Sequence, residues 1–170
     1  MQLAFLILKL LGKALGAIFG IAFGKALPDE VQVTRVIDGD SLIGKDKNGE
    51  THRIRIKGID APELSQPLGQ EARQALQSIV QGEIIQLKDA EVDKFGRIAA
   101  RIETDEVSNP GGRLVNNGLA WACEHRASLK EKISETSAKI QGKGIWSKPN
   151  IQKPWKHREK MREEQDQIGL

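Results

Sequence analysis

The sequence is poor in several residue types, and each shortage excludes a class of site. A single cysteine, Cys123, excludes an internal disulfide and any zinc cluster built on cysteines. No cysteine-protease signature surrounds Cys123, so we expect it to be a small buried apolar residue. The chain lacks P-loop, HExxH and GxSxG motifs, and its three histidines stand singly, a pattern more typical of the surface than of a metal site.

Charged residues of both signs are plentiful. They make up 29% of the 170 residues, aromatic residues make up 4%, and the formal net charge is +3. This composition is neither fibrous nor that of an obviously disordered chain, and it suits one domain with a modest core. The mild basic bias would assist binding of a polyanion without identifying one.

The first thirty residues differ in composition from the rest of the chain. The run 3–26 is apolar except for three lysines, and its uncharged stretch 14–24 has eleven residues. That length suits the core of a signal peptide and falls short of the roughly 20 residues that a spanning helix needs. Small residues at Gly24 and Ala26 fit a signal-peptidase site. We therefore expect an exported protein that is released after Ala26.

Glycine at every fourth position of this segment supports a second interpretation. The four glycines would form one stripe along a helix, as in helices that pair closely in membranes. If the helix were retained, its lysines could reach the membrane surface and the segment would be an anchor. Glycine and alanine are also common in signal peptides, which is the simpler explanation. Residues 1–30 are thus predicted to be a signal peptide or membrane anchor with a linker, and the following domain is predicted to lie outside the cytoplasmic membrane.

From residue 31 onward the apolar residues follow strand and helix periods. Strands are predicted over 31–37, 41–44, 53–58, 83–88 and 97–103. Helices are predicted over about 68–81, 112–118 and 127–141, with Leu129, Ile133 and Ile140 at helical spacing in the last. This order predicts an α+β domain over 31–148, a small antiparallel five-stranded OB-fold β-barrel with about three packed helices. Residues 149–170 are predicted to be a charged tail, frayed or helical.

Three short segments concentrate the charged residues: Asp38-Gly39-Asp40, Arg55 with Asp60-Ala61-Pro62-Glu63, and Asp93-Lys94-Phe95-Gly96-Arg97. If the second and third strands form a hairpin, Asp40 at the start of one adjoins Asp60 at the end of the other. The two carboxylates could then share one cation with the Ala61 carbonyl, since calcium prefers oxygen ligands in a loose cage. Either aspartate alone would be an ordinary turn former. Together they indicate a metal site.

The remaining charged residues complete a set suited to phosphodiester cleavage. Glu63 could orient or deprotonate a water molecule. Arg55 and Arg97 could hold a phosphate through their guanidinium forks and neutralise the charge of a pentacovalent transition state. Taken singly, Glu63 would be a solvated surface residue and Arg97 a hairpin-turn cation. Few other reactions need two metal carboxylates, a base and two guanidiniums.

Residues 33–147 resemble the staphylococcal nuclease family through an ordered series of motifs. The family patterns VIDGD, R-x4-D-x-P-E and DKYGR are matched at 36–40, 55–63 and 93–97, and segments 114–116, 118–120 and 144–147 resemble its helical part. The resemblance implies an OB-fold nuclease that uses calcium to hydrolyse DNA or RNA and leaves 3'-phosphate ends. By residue it implies metal ligation by Asp40, Asp60 and the Ala61 carbonyl, general base Glu63, and phosphate-binding arginines Arg55 and Arg97.

The chain departs from the family pattern where it lacks tyrosine. Phe95 stands in place of the DKYGR tyrosine, and the tyrosines expected after 118–120 are absent. Those hydroxyls would help to seat the far phosphate of a nucleotide. Phe95, with Lys94 beside it, can still stack on a base and bind a nucleotide. The departures bear on affinity and substrate preference more than on the reaction.

Two other functions compete with a calcium-dependent nuclease. The first is a module of the same fold that binds nucleic acid without cutting it, which should have lost at least one of Arg55, Glu63 and Arg97. The second is a membrane-interacting protein whose N-terminal helix carries the function, which leaves that set unexplained. The expected partners are DNA or RNA and, where the N-terminal segment is retained, a membrane. No sequence feature indicates an obligate protein partner.

Overall fold

Five strands close into a barrel in the computed structural model, which describes residues 26–168. In chain order the elements are β1 (Glu30–Val36), β2 (Ser41–Lys45), β3 (Thr51–Ile56), β4 (Ile59–Asp60), α1 (Gly69–Val80), β5 (Ile84–Val92), β6 (Ile98–Glu103), α2 (Pro110–Asn116), β7 (Trp121–Ala122), α3 (Leu129–Ile140), a short 3-10 helix (Gly144–Trp146) and α4 (Pro154–Ile168). The barrel order is β1-β2-β3-β6-β5, closed by pairing of β5 with β1. The predicted five-stranded barrel is therefore confirmed.

The pairing differs from the prediction at one junction. Strands β3 and β6 run parallel, with Arg55 opposite Ala99, whereas the other neighbouring pairs are antiparallel. The chain crosses from β3 through β4, α1 and β5 before it returns as β6, which sets that direction. An entirely antiparallel barrel was the wrong expectation. The parallel junction brings the start of β6 beside β3.

Alternate apolar side chains of the strands point inward and fill the barrel. Ile54 and Ile56 of β3 are buried, and Arg53 and Arg55 point to the opposite face. In β1 the alternation is interrupted by a register shift between Val33 and Arg35. Such a bulge re-phases a strand, so that the apolar face continues at Val36 rather than at Arg35.

Four helices are present among residues 26–168, three at the predicted positions and one in the charged tail. Helix α1 closes one end of the barrel with Ala72, Leu76 and Val80, as its spacing predicts. Strands β4 and β7 form a separate two-stranded sheet that the sequence analysis does not contain. A strand of two residues is too short to show alternation, so sequence periodicity cannot predict it.

The apolar stripe of α3 does not face the core. Leu129, Ile133 and Ile140 are 74%, 60% and 82% exposed, and they line a shallow groove on the surface. The face that packs inward carries Glu131 and Ala138. Polar contacts orient the helix, because the Glu131 carboxylate accepts two hydrogen bonds from Arg101 and one from the Ser128 N–H at the helix start.

The predicted N-terminal apolar helix, with its signal or anchor role, lies outside the described residues. Within residues 26–168, no helix combines the length and the apolar character needed to cross a membrane.

Replacing Glu131 by glutamine tests whether this buried acid anchors α3. The change removes the charge that faces Arg101, and the loss of charge-assisted hydrogen bonds costs about 1.5–3 kcal/mol. We expect the free energy of unfolding to fall by about that amount in urea titrations. Glu124→Gln removes a charge from an exposed position nearby and should change the value by less than about 0.5 kcal/mol. Equal losses in the two variants would contradict the anchoring role.

Candidate functional site

Antiparallel pairing of β2 with β3 brings two aspartates together. Asp40 precedes β2 directly, Ser41 lies opposite Arg55, and the Ile56 N–H donates to the Asp40 carbonyl at 2.8 Å. Asp60 does not end β3 as expected but lies in β4, after a turn. Both aspartates are 5% exposed, and the expectation that they adjoin is correct.

The turn between β3 and β4 depends on Gly58. Its φ is 86°, in the left-handed region, and an added Cβ would lie 2.6 Å from a Glu131 oxygen. After this turn Asp60 pairs with Trp121 of β7. The turn at Gly58 therefore brings Asp60 beside Arg55 of β3.

Arg55 joins the two aspartates. Its Nη2 donates to Asp60 Oδ1 at 2.8 Å, and its Nη1 contacts Asp40 Oδ2 as an ion pair without hydrogen-bond alignment. The Asp40 carboxylate also accepts the Ala61 N–H at 2.7 Å and the Ser41 hydroxyl at 3.0 Å. The Arg55 side chain is thus ordered by the carboxylates that it neutralises.

Gly39 allows the loop before β2 to approach α1 closely. A Cβ there would lie 2.6 Å from the Cβ of Ala61 and 2.7 Å from the Cβ of Ala72. The Asp40 N–H meanwhile donates to Asp38 Oδ1 at 3.0 Å. Small residues on three segments therefore hold the Asp40 carboxylate against the loop that follows β4.

The acidic groups outnumber the positive charge that Arg55 supplies. Burial raises the pKa of Asp40 to about 6, although the Arg55 guanidinium acts in the opposite direction, and the neighbouring Asp38 raises it further. Asp60 and Glu63 add two more carboxylates. Such a site gains electrostatically from a further cation, and its oxygen donors suit a hard divalent ion. The chemistry of the donor set therefore fits a metal.

Glu63 lies on the loop between β4 and α1, within reach of Asp60. Its N–H donates to the side chain of Gln66 at 2.9 Å, and its carbonyl accepts the Gln66 N–H at 2.8 Å. The Glu63 carboxylate is partly exposed. A base in this position could reach water on the open side of the Asp60 carboxylate.

Arg158 of α4 is a site residue that the sequence analysis misses. Its Nη2 lies 2.8 Å from Asp60 Oδ2, and its Nη1 lies 3.2 Å from Asp60 Oδ1 and 2.6 Å from Glu63 Oε1. Burial disfavours the charge on Arg158, but the bonds to Asp60 and Glu63 outweigh it and raise the pKa of the guanidinium. The guanidinium therefore supplies one positive charge to both carboxylates. The one sequence signal is the Pro154-Trp155 pair at the start of an otherwise charged run.

Arg97 does not contact the acidic cluster, which is formed by the carboxylates of Asp40, Asp60 and Glu63. It precedes β6, and its guanidinium donates to Asp93 at 2.8 Å within the turn that joins β5 to β6. Parallel pairing sets Arg55 opposite Ala99, so Arg97 comes two residues before the neighbour of Arg55. The sequence predicts that Arg97 binds phosphate together with Arg55, and in the structure the Arg97 guanidinium pairs with Asp93.

Phe95 projects from the same turn. It is 69% exposed, with the Lys94 ammonium 5.0 Å and the Arg97 guanidinium carbon 5.2 Å from the ring centroid. An aromatic ring flanked by two cations can stack on a base while the cations face phosphates. This turn and the acidic cluster are therefore separate parts of the candidate site.

A second group of potential ligands occupies the β2–β3 hairpin. Asp46, Glu50 and His52 each offer a ligand atom, and these atoms lie within 4.8 Å of one another. The oxygens of Asp46 already serve the turn, because Oδ1 accepts the Asn48 and Glu50 N–H groups and Oδ2 pairs with the His52 ring. His52 thus has a carboxylate partner, contrary to the expectation of a lone surface histidine.

Cys123 lies beside the acidic cluster and is partly buried. Burial, followed by the charge of Asp60, raises the pKa of its thiol to about 11. A thiol with such a pKa stays protonated and is a poor nucleophile. The expectation of a small buried apolar residue is met only in part, because Cys123 is partly exposed.

Comparisons with known proteins find nuclease relatives of this chain. The family model described as staphylococcal nuclease homologue matches residues 53–148, more than half of the chain. A micrococcal nuclease of Shigella flexneri is 34% identical over 139 residues, covering 75% of this chain and 79% of its own. An uncharacterized endonuclease of Escherichia coli is 30% identical over 125 residues, covering 73% and 81%. Protein ParB of Escherichia coli is 30% identical over 148 residues, covering 80% and 82%.

Proposed function

We infer, because this chain belongs to the staphylococcal nuclease family, that it is a nuclease that hydrolyses phosphodiester bonds of DNA or RNA with the help of calcium. The observation that carries the proposal is that Arg55 contacts both Asp40 and Asp60, while Asp60 and Glu63 share Arg158, so that carboxylates from separate segments form one site. A module that only binds nucleic acid has no need of that combination. The presence of Arg55, Glu63 and Arg97 together favours the enzyme.

Asp40, Asp60 and the carbonyl of Ala61 are the proposed metal ligands. Calcium bound there would polarise the phosphate and assist ionisation of water. The two aspartates are buried and held by hydrogen bonds, so their oxygens are ordered before a cation arrives. The Ala61 backbone is held by its N–H bond to Asp40, which makes its side chain unimportant for ligation.

Glu63 is the proposed general base. It would take a proton from water as the water oxygen attacks phosphorus, and the bond from phosphorus to the 5' oxygen would break. The departing oxygen takes a proton from solvent and Glu63 later releases its proton to solvent, which leaves a 3'-phosphate and a 5'-hydroxyl. The partly exposed carboxylate on a loop beside Asp60 supports this role, since the base must reach both solvent and the scissile group.

The arginines and the β5–β6 turn would bind the substrate. Arg55 is ordered by Asp40 and Asp60 and would offer its remaining N–H groups to the phosphate, and Arg97 would approach from the neighbouring strand. Charge that develops on the phosphoryl oxygens is then met by two guanidiniums. Phe95 would stack on a base with Lys94 near the backbone phosphates.

Glu63→Gln tests the base. It keeps the side-chain volume but removes the proton acceptor, so we expect turnover to fall by about 100-fold or more with folding unchanged. The matched control is Glu83→Gln, an exposed glutamate outside the site, which should keep parental turnover. The assay is DNA and RNA hydrolysis with circular dichroism as the folding check. A folded Glu63→Gln protein that cuts at the parental rate would remove Glu63 from this role.

Calcium binding can be assigned to one of the two acidic groups by thermal shift. A ligand that binds only the folded state, at a free concentration about 100 times its Kd, raises the free energy of unfolding by about 2.7 kcal/mol. Calcium should therefore raise the Tm of the parental protein. Asp60→Asn should abolish that rise. Asp46→Asn, which alters the hairpin group, should retain it. The reverse pattern would transfer the metal to the hairpin, and hydrolysis in excess chelator would argue against a metal requirement.

The enzyme is proposed to act outside the cytoplasmic membrane, released after Ala26 or tethered by an uncleaved helix. The support is the apolar run 3–26 with its lysines and small residues. Fusion of residues 1–30 to a reporter that is active only after export should give active reporter. A silent, soluble cytosolic fusion would reject the proposal, and mass spectrometry of the mature N-terminus separates release from tethering.

A further inference from the structure

Helix α4 is fastened to the loop that carries Glu63. The Gln66 side-chain amide donates to the Gln152 carbonyl at 2.7 Å, and the Ser65 hydroxyl lies 3.0 Å from the His157 ring nitrogen. At the start of the helix, Trp155 packs edge-on against Trp121, with ring centroids 6.5 Å apart. These contacts aim the first turns of a mostly exposed helix at the acidic cluster.

Arg158 differs from the other basic residues of α4 in its ion-pair partners. Lys156 pairs with Glu159 and Lys160 with Glu164, both within the helix, and Arg162 donates to the Arg158 carbonyl. The Arg158 guanidinium instead crosses to the barrel and binds Asp60 through two parallel hydrogen bonds and Glu63 through a third. Charge-assisted, two-pronged contacts of this kind are among the stronger hydrogen bonds in proteins.

The guanidinium and a metal ion need the same oxygens. Calcium binds carboxylate oxygens at about 2.3–2.6 Å, and both oxygens of Asp60 face Arg158 nitrogens at 2.8 and 3.2 Å. Arg158 covers both oxygens from one side, so a metal ion that binds Asp60 from that side must displace the guanidinium. The same guanidinium also engages Glu63 Oε1 at 2.6 Å, which makes that oxygen a poorer acceptor for a proton from water.

We propose that Arg158 is an intramolecular competitor of the metal, which fills the open side of Asp60 and Glu63 until a divalent cation displaces it. This inference rests on the metal site of the proposed function. Metal binding then frees Glu63 and, in the same step, removes the Arg158 contacts that help to hold the first turns of α4. The residue determines the calcium concentration at which the site becomes competent, because the measured metal affinity contains the cost of displacing the guanidinium.

The test is a calorimetric calcium titration of the full-length chain, purified with detergent for its apolar N-terminus. Arg158→Gln removes the competitor and its charge-assisted hydrogen bonds, so we expect calcium to bind about tenfold more tightly or better. Arg162→Gln is the matched control. It removes the same charge one helical turn away and should bind calcium within about twofold of the parental protein, since exposed charges contribute little.

Amide hydrogen exchange provides a readout of the helix itself. In the parental protein calcium should speed exchange in the first turns of α4, and in Arg158→Gln these amides should exchange fast without calcium. Reciprocity requires both effects if metal and helix compete. The Arg162→Gln protein should behave like the parent.

Each outcome bears on a distinct claim. Equal or weaker calcium affinity in Arg158→Gln, with binding intact, overturns the competition and leaves the nuclease proposal standing; Arg158 would then be a positioning residue for Glu63. Exchange of α4 that ignores calcium also overturns it. Absence of calcium binding in all three proteins removes the metal site and the inference together.

Discussion

The buried contact of Arg55 with Asp40 and Asp60 is the constraint on which the rest of the site depends. It joins the start of β2, the end of β3 and the short strand β4 through one guanidinium. Removing two carboxylates from water is costly, and Arg55 offsets part of that cost. Glu63 adds a third carboxylate beside Asp60, so Arg55 alone leaves the site short of positive charge.

This shortage of positive charge explains why the site can attract either of two cations, the Arg158 guanidinium or a metal ion. In the structure the Arg158 guanidinium lies against Asp60 and Glu63, and in the proposed active state a metal takes that side of the site. Sites of this kind favour function over stability, because a less acidic cluster would fold more readily and bind no cation. The close packing of Gly39 on Ala61 and Ala72 keeps the carboxylates close in spite of their repulsion.

Polar contacts also organise the helical layer. Helix α3 turns its three large apolar side chains outward and directs Glu131 inward to Arg101. A stripe of apolar residues predicts a helix because it reports the period. It does not predict which face is buried. In α3 the ion pair of Glu131 and the capped helix start hold the polar face inward, although this leaves leucine and isoleucine side chains exposed. The apolar stripe alone would therefore orient α3 incorrectly.

By itself the sequence determined the barrel strands, the helices, and the adjacency of Asp40 and Asp60, because alternation, helical spacing and hairpin pairing are local properties. It also indicated Arg55, Glu63 and Arg97 by their spacing within recognisable motifs. Tertiary structure alone decided the separation of Asp60 into β4, the pairing of Arg97 with Asp93, and the arrival of Arg158. Arg158 stands 98 residues from Asp60, and no local pattern encodes a contact made by folding a charged terminal helix back across the barrel.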